Sequence, residues 1–287
     1  MDFLSFAHLL NGLLMVAMPV LLAIYLTNKW KMGARIWWIG AATFIISQIG
    51  HIPFNLGVGK LLNQTSMVAW NPVTQLIFNA VFLGLSAGIF EECARYLVLR
   101  LWARDARSWR KGILFGAGHA GAEAIILGVL VLYTFFQLTA LRNIDLEKII
   151  PSNQLVLAQK QIAAYWSSAW YNSLLGALER FSTIPCQIAM AVMVMQVFTR
   201  KHIRWLFLAI GFHVLLDASA VLNIAYLGVY WTEAVICGFA IMSVIIIFIL
   251  RRPEPPAPVM PSAVSPVVIM PKPIEETLEN LEKTRYQ

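Results

Sequence analysis

Runs of about twenty apolar residues recur along the chain, separated by short polar connections rather than broken by an alternation of polar and apolar positions. A hydrocarbon core about 30 Å thick asks for roughly 20 residues of helix at ~1.5 Å each. Each run therefore predicts a membrane-crossing helix, and they fall near residues 8–26, 36–56, 76–99, 112–139, 172–198, 205–222 and 232–250. No segment carries the period-two pattern of a barrel strand. The expected fold class is an all-α membrane protein of about seven transmembrane helices. The first run lacks a basic n-region and a small-residue cleavage site, so it reads as a retained span.

Charge adds an orientation to this pattern. Lys29, Lys31 and Arg35 lie in the first connection, Arg100, Arg104, Arg107, Arg110 and Lys111 in the third, and Arg200, Lys201 and Arg204 in the fifth. Arg251 and Arg252 close the last run. The opposite connections hold only Lys60, Arg142, Lys148 and Lys160. Basic residues mark cytoplasmic loops, which predicts an outside N-terminus and a cytoplasmic C-terminus. The outer connection from Ala140 to Trp170 mixes charge with Tyr165, Trp166 and Trp170, as an interfacial segment does.

Composition agrees: 59% of the residues are hydrophobic and 13% charged, against about 25% charged in a soluble domain. The net charge of +7 sits in the connections, so it marks topology and does not point to nucleic acid. The partner expected on this ground is the lipid bilayer. Cys93, Cys186 and Cys237 are odd in number and lie inside apolar runs, which predicts free thiols. The domain division expected is a polytopic unit over 1–252 and a Pro-rich cytoplasmic tail over 253–287. Pro253 to Pro273 favours extended polyproline-like chain over helix.

Ionisable residues inside a span cost about 2.5 to 3.5 kcal/mol each and call for a partner or a purpose. The third run holds Glu91, Glu92 and Arg95, the fourth His119 and Glu123, the sixth His213 and Asp217. Counted from the basic end of each span, the glutamates, His119 and His213 come about eight residues in, roughly 12 Å at helical rise. Glu123 and Asp217 follow their histidines at i+4, on the same face and one turn deeper. Such a set can converge on one polar cavity reached from the cytoplasm. A single buried Glu or His usually serves packing alone; two adjacent acids and two histidines at one depth point to a site. Helix spacing by itself pairs Arg95 with Glu91 at i+4, with Glu92 at i+3 as the alternative, so the choice of base between the glutamates stays open.

These residues resemble the glutamate-dependent intramembrane peptidases: the CAAX protease and bacteriocin-processing superfamily, its PrsW relatives and, most closely, the YhfC family. The shared motifs read here as Glu91-Glu92-x-x-Arg95, Phe115-x-x-x-His119 and His213-x-x-x-Asp217, in that order on separate spans. The CAAX proteases usually have one more residue between the double glutamate and the arginine. The resemblance implies peptide-bond hydrolysis within the membrane, with a membrane protein or hydrophobic peptide as substrate and with Glu91 and His119 positioning and activating a water. It implies a structural pair of Glu92 and Arg95, and an oxyanion site at His213 and Asp217. An acidic Asp217 does not donate unless protonated, so orienting His213 is its other role.

No cofactor is expected on this reading. The alternative is zinc, held by His119, His213 and Glu123 with a fourth position open to water. Two rivals from other classes are a proton-coupled transporter, for which no repeat symmetry appears, and a non-catalytic membrane scaffold. Several further features read as structural. Glu179 and Arg180 neutralise each other or snorkel, and Gly84-x-x-x-Gly88 and Gly112-x-x-x-Gly116 serve close helix packing. His8, His51 and His202 carry no chemistry, and Cys93 is no nucleophile in an apolar site. Gly118 and Gly121 leave backbone room beside His119 for a substrate strand, and Gln187 stands where YhfC-like sequences would be expected to hold a histidine.

Overall fold

The computed structural model describes residues 2–64 and 70–253; the expectation for the tail beyond Pro253 lies outside them. The described residues form eight α-helices and no strand. These are α1 Phe3–Trp30, α2 Arg35–Asn63, α3 Pro72–Leu101, α4 Trp109–Leu141, α5 Ser152–Ser167, α6 Leu175–Thr199, α7 Arg204–Tyr226 and α8 Val229–Ile249. Local chemistry sets several boundaries. Asp2 caps α1 by accepting from Ser5 N at 2.8 Å, and that bond together with Arg142 holds its carboxyl below the usual range. Asn71 caps α3 by accepting from Thr74 N, with Pro72 at the first helical position. Gly228 opens α8 at φ 81°, a left-handed backbone that glycine tolerates.

Six of these helices are long and apolar enough to cross a membrane: α1, α3, α4, α6 with the short 3₁₀ turn before it, α7 and α8. Helix α2 covers the remaining expected span and has the length, at 29 residues, but Gln48, His51, Asn55 and Lys60 lower its apolarity. Most of those polar residues face the site described below. Ile, Leu, Phe and Trp side chains such as Ile49, Phe181, Phe207 and Ile249 stand exposed on the outside of the bundle, as a lipid-facing surface requires.

Helix α6 is the central post. It packs against α1, α3, α4, α7 and α8, and every residue from Cys186 to Gln196 is buried. In lipid the helices gain little from burying apolar surface, so close packing through small residues holds them together. The glycine pairs do this work. Cβ atoms on Gly84 and Gly88 would meet the α7 carbonyl oxygens of Val214 and Ile210 at 3.0 and 3.1 Å, and one on Gly116 would meet Ile188 Cα of α6 at 2.8 Å. Gly118 abuts the Trp37 carbonyl of α2 and Gly121 the Trp37 ring. The room beside His119 is therefore filled by α2 and is not open to a substrate strand. Helix α5 buries none of its residues; it meets the bundle where Tyr165 stacks on His8 with ring centroids 3.9 Å apart.

Candidate active site

Helix periodicity brings Glu91, Glu92 and Arg95 of α3 into the bundle together, and all three are buried. Glu91 lies ten residues from the Leu101 end of α3, His119 ten from the Trp109 end of α4, and His213 nine from the Arg204 end of α7. At helical rise that is roughly 14 to 15 Å each, so the three helices do deliver them to one level, slightly deeper than sequence counting placed it.

The fully buried Arg95 forms its close ion pair with Glu92, and its other terminal nitrogen stays 3.6 Å from Glu91 Oε2. Spacing alone favoured Glu91. The difference comes from α6, where Gln187 Oε1 accepts from Arg95 Nη2 and draws the guanidinium away. His213 Nδ1 lies 2.9 Å from the same Glu92 oxygen, and its Nε2 lies 3.5 Å from Asp217 Oδ2. The ring thus stands between two carboxylates, in contact with Glu92 and more loosely with Asp217.

Glu91 has a different environment. Its Oε2 meets His119 Nε2 at 3.0 Å and its Oε1 accepts from Gln48 Nε2 of α2 at 3.1 Å. Glu92 is 0% exposed and Glu91 6%, and that small difference matters because Glu91 borders a cavity. The cavity measures about 240 Å³ and is lined by Glu91, His213, Asp217, Gln187, Glu123 and Arg180, among others. His119, at 0% exposure, does not border it and reaches it only through Glu91.

The cavity extends in one direction from this level. Its lining comes from the part of α3 before Glu91, of α4 after His119, of α6 before Gln187 and of α7 after His213. It therefore runs toward the end of the bundle where α3 and α6 begin, away from the basic connections. The opposite side is closed by Leu99, Leu114, Phe115 and Met190, all 0% exposed. The expectation of access from the basic, cytoplasmic side does not match this placement.

At the far end of the cavity Arg180 is 7% exposed and does not snorkel. It pairs closely with Glu179 and donates to Glu123 Oε1 at 2.6 Å. Gln187 Nε2 donates to the other Glu123 oxygen at 2.9 Å, so Glu123 is engaged on both sides. Arg180 also borders a second cavity of about 400 Å³ that reaches His8 and Tyr165. The set His119, His213 and Glu123 is not drawn together, and among the described residues no three His, Cys, Asp or Glu side chains are grouped as a metal ion requires. The three cysteines are free.

Gln48, His51 and Gln187 are the site residues that sequence reasoning passed over or left without a role. His51 lines the cavity and contacts Gln48, Ser86 and Asn55. The available signal was the spacing Gln48-x-x-His51-x-x-x-Asn55, which sets three polar side chains on one face of an otherwise apolar helix.

No solved structure matches the chain. A protein described as "Uncharacterized membrane protein YhfC", from Bacillus subtilis (strain 168), is 29% identical over 223 residues, covering 74% of this chain and 82% of that protein. The model of a family described as "YhfC intramembrane metalloprotease" matches residues 14–238, a span that takes in every buried ionisable residue of the site, and the chain belongs to that family of intramembrane proteases.

Proposed function

We propose that this protein is an intramembrane endopeptidase in which Glu91 activates the attacking water. The observation that carries the reading is the division of labour between adjacent glutamates: Glu92 is enclosed and paired with Arg95 and His213, while Glu91 borders the cavity with both oxygens held. A carboxylate base must reach water, and among the two only Glu91 does.

In the proposed reaction a water beside Glu91 gives its proton to the carboxylate as its oxygen attacks the substrate carbonyl. His213, flanked by Glu92 and Asp217, carries a proton on Nε2 and offers it as a hydrogen bond to the developing oxyanion. Protonated Glu91 then delivers the proton to the departing amide nitrogen, and the C–N bond breaks to leave a carboxylate and an amine. His119 positions Glu91 by fixing Oε2. The likeness of the three motifs to the CAAX and PrsW peptidases supports these roles. The substrate class is a membrane-embedded or membrane-proximal peptide, and a helical one must unwind first because its amides are locked in backbone hydrogen bonds.

The family's description implies a metal, and the residues as placed do not fit one. His119 and His213 each commit a ring nitrogen to a different glutamate, Glu123 is taken by Arg180 and Gln187, and the Arg95 guanidinium contacts both glutamates where a cation would have to sit. We therefore route no step through a metal.

The test uses purified protein in lipid vesicles with quenched fluorogenic single-span peptides whose residues at the membrane boundary are randomised. Glu91→Gln is expected to fold and to cleave none of the peptides that the unaltered protein cleaves. Cleavage at an undiminished rate by Glu91→Gln would remove the proposed base.

A further inference from the structure

The Glu91 carboxylate is held from the α2 side by a chain of three polar residues whose hydrogen-bond directions can be worked out one after another. An ionised carboxylate only accepts, so the group 3.1 Å from Glu91 Oε1 must be the Gln48 amide nitrogen, Nε2. The same nitrogen lies 3.3 Å from Ser47 Oγ, whose own proton goes to the Phe44 carbonyl at 2.7 Å, leaving Ser47 Oγ to accept. Both contacts put the amide nitrogen toward Glu91 and the amide oxygen, Oε1, toward His51 Nδ1 at 3.2 Å. An oxygen there requires a proton on Nδ1.

The other ring nitrogen then has a lone pair to offer. His51 Nε2 faces the Asn55 amide nitrogen at 2.9 Å, which donates to it, while Ser86 Oγ at 3.2 Å has its own proton on the Leu83 carbonyl at 3.0 Å. The ring is kept in register by stacking on Phe90 of α3, with centroids 5.6 Å apart. Every link in the sequence Asn55, His51, Gln48, Glu91 therefore donates toward the carboxylate. On the far side Glu91 Oε2 takes its bond from His119, so the two oxygens have separate and fixed partners.

We infer that His51 and Gln48 are positioning residues for the catalytic step: His51, held as the Nδ1–H tautomer, locks the Gln48 amide so that it donates to Glu91 and aims the carboxylate at its water. This rests on Glu91 being the base. The geometry favours the less common neutral tautomer of a histidine, and it gives a role to the polar stripe that Gln48, His51 and Asn55 form on α2.

The experiment has one arm that needs no substrate. The chain contains five histidines, so protein labelled with ¹⁵N at histidine gives few imidazole signals, and His51→Asn identifies the one that disappears. That signal is expected to show a protonated Nδ1 and a bare Nε2. A proton on Nε2, in a neutral ring or in an imidazolium, overturns the inference. The second arm uses the vesicle assay with the same fluorogenic peptides. Gln48→Leu and His51→Gln are expected to lower kcat about 10- to 100-fold with KM within about twofold, as loss of an outer orienting partner typically does. His51→Asn, whose amide nitrogen falls where Nδ1 stood, is expected to recover most of the loss. The combination of Gln48→Leu with His51→Gln is expected to be no worse than Gln48→Leu alone; losses that multiply, or no rescue by asparagine, overturn the relay. Undiminished cleavage by Glu91→Gln would instead remove the base, whatever tautomer His51 shows, so the two failures are distinguishable.

Discussion

Arg95 of α3 donates to Gln187 Oε1 of α6 across 92 positions of the chain, and this one contact joins the two ion clusters of the bundle. Gln187 spends its amide nitrogen on Glu123, so a neutral side chain satisfies a cation on one side and an anion on the other without adding charge. Gln187→Leu leaves both groups short of a partner in a buried setting. At about 1.5 to 3 kcal/mol for a hydrogen bond to a charged group, a loss of roughly 3 kcal/mol is expected in unfolding of the detergent-solubilised protein. Gln187→Glu should also destabilise by facing Glu123 with a like charge, and Glu123→Gln added to it should restore stability. If the exchanged pair is no more stable than Gln187→Glu alone, the bridge is not what holds the clusters together.

The same logic of close contact gives a second expectation at the crossing of α2 and α4. Gly118 lies against the Trp37 carbonyl and Gly40 against the Phe115 carbonyl, so a methyl group at either must push backbone aside. Gly118→Ala and Gly40→Ala should each cost about 1 to 3 kcal/mol or more, and loosen the seat of His119 and Gln48. Gly211, with nothing within 4 Å of a Cβ, is the control: Gly211→Ala should leave the unfolding transition where it is. Equal behaviour of the three variants in thermal unfolding would contradict the packing described.

Metal dependence separates the two chemistries open to a protease of this family. With Glu91 as a direct base, prolonged treatment with a strong chelator is expected to leave vesicle-reconstituted activity intact, and elemental analysis to find far less than one equivalent of zinc. A zinc-bound water would lose its activity with the metal and regain it on re-addition. Zinc and activity that disappear and return together would show that the side chains rearrange from the geometry seen around Arg95 to admit an ion.

The parts of this architecture that were legible in the sequence are those encoded locally. Apolar runs gave the seven long helices but not α5, which lies in a connection of mixed polarity, and the count of residues from each basic end placed Glu91, His119 and His213 on one level. What escaped depends on helix rotation, which an apolar helix scarcely records because its lipid face and its protein face look alike. Arg180 reads as a snorkelling cation beside Glu179 unless one knows that its face meets Glu123 of α4. Gly118 reads as open backbone unless α2 is known to lie against it. Gln48 and His51 were available as a polar stripe on α2, but a neutral amide and one histidine near a span end weigh little without the carboxylate they face. Spacing alone pointed Arg95 to Glu91, while the resemblance implied Glu92, which is its close partner: i+4 spacing describes an isolated helix, and Gln187 of a neighbouring helix takes the other side of the guanidinium.

The direction in which the cavity opens yields the last expectation, because it combines with the basic connections to fix the side from which substrate and water arrive. If the positive-inside rule holds, the ends of α3 and α4 at Leu101 and Trp109 face the cytoplasm, and the cavity opens toward the other side. A cytoplasm-active reporter fused after Arg252 should then be active, and one that works only outside should be silent. Thr183 lines the cavity near Arg180 and is partly exposed, so Thr183→Cys offers a probe once Cys93, Cys186 and Cys237 have been replaced. A membrane-impermeant thiol reagent added to intact cells should label it, and the same reagent confined to the cytoplasmic face of inverted vesicles should not. Labelling from the cytoplasmic face alone, with the reporter active at Arg252, would mean that the cavity reaches water past Leu99, Leu114 and Phe115, and would overturn the direction of opening that their burial supports.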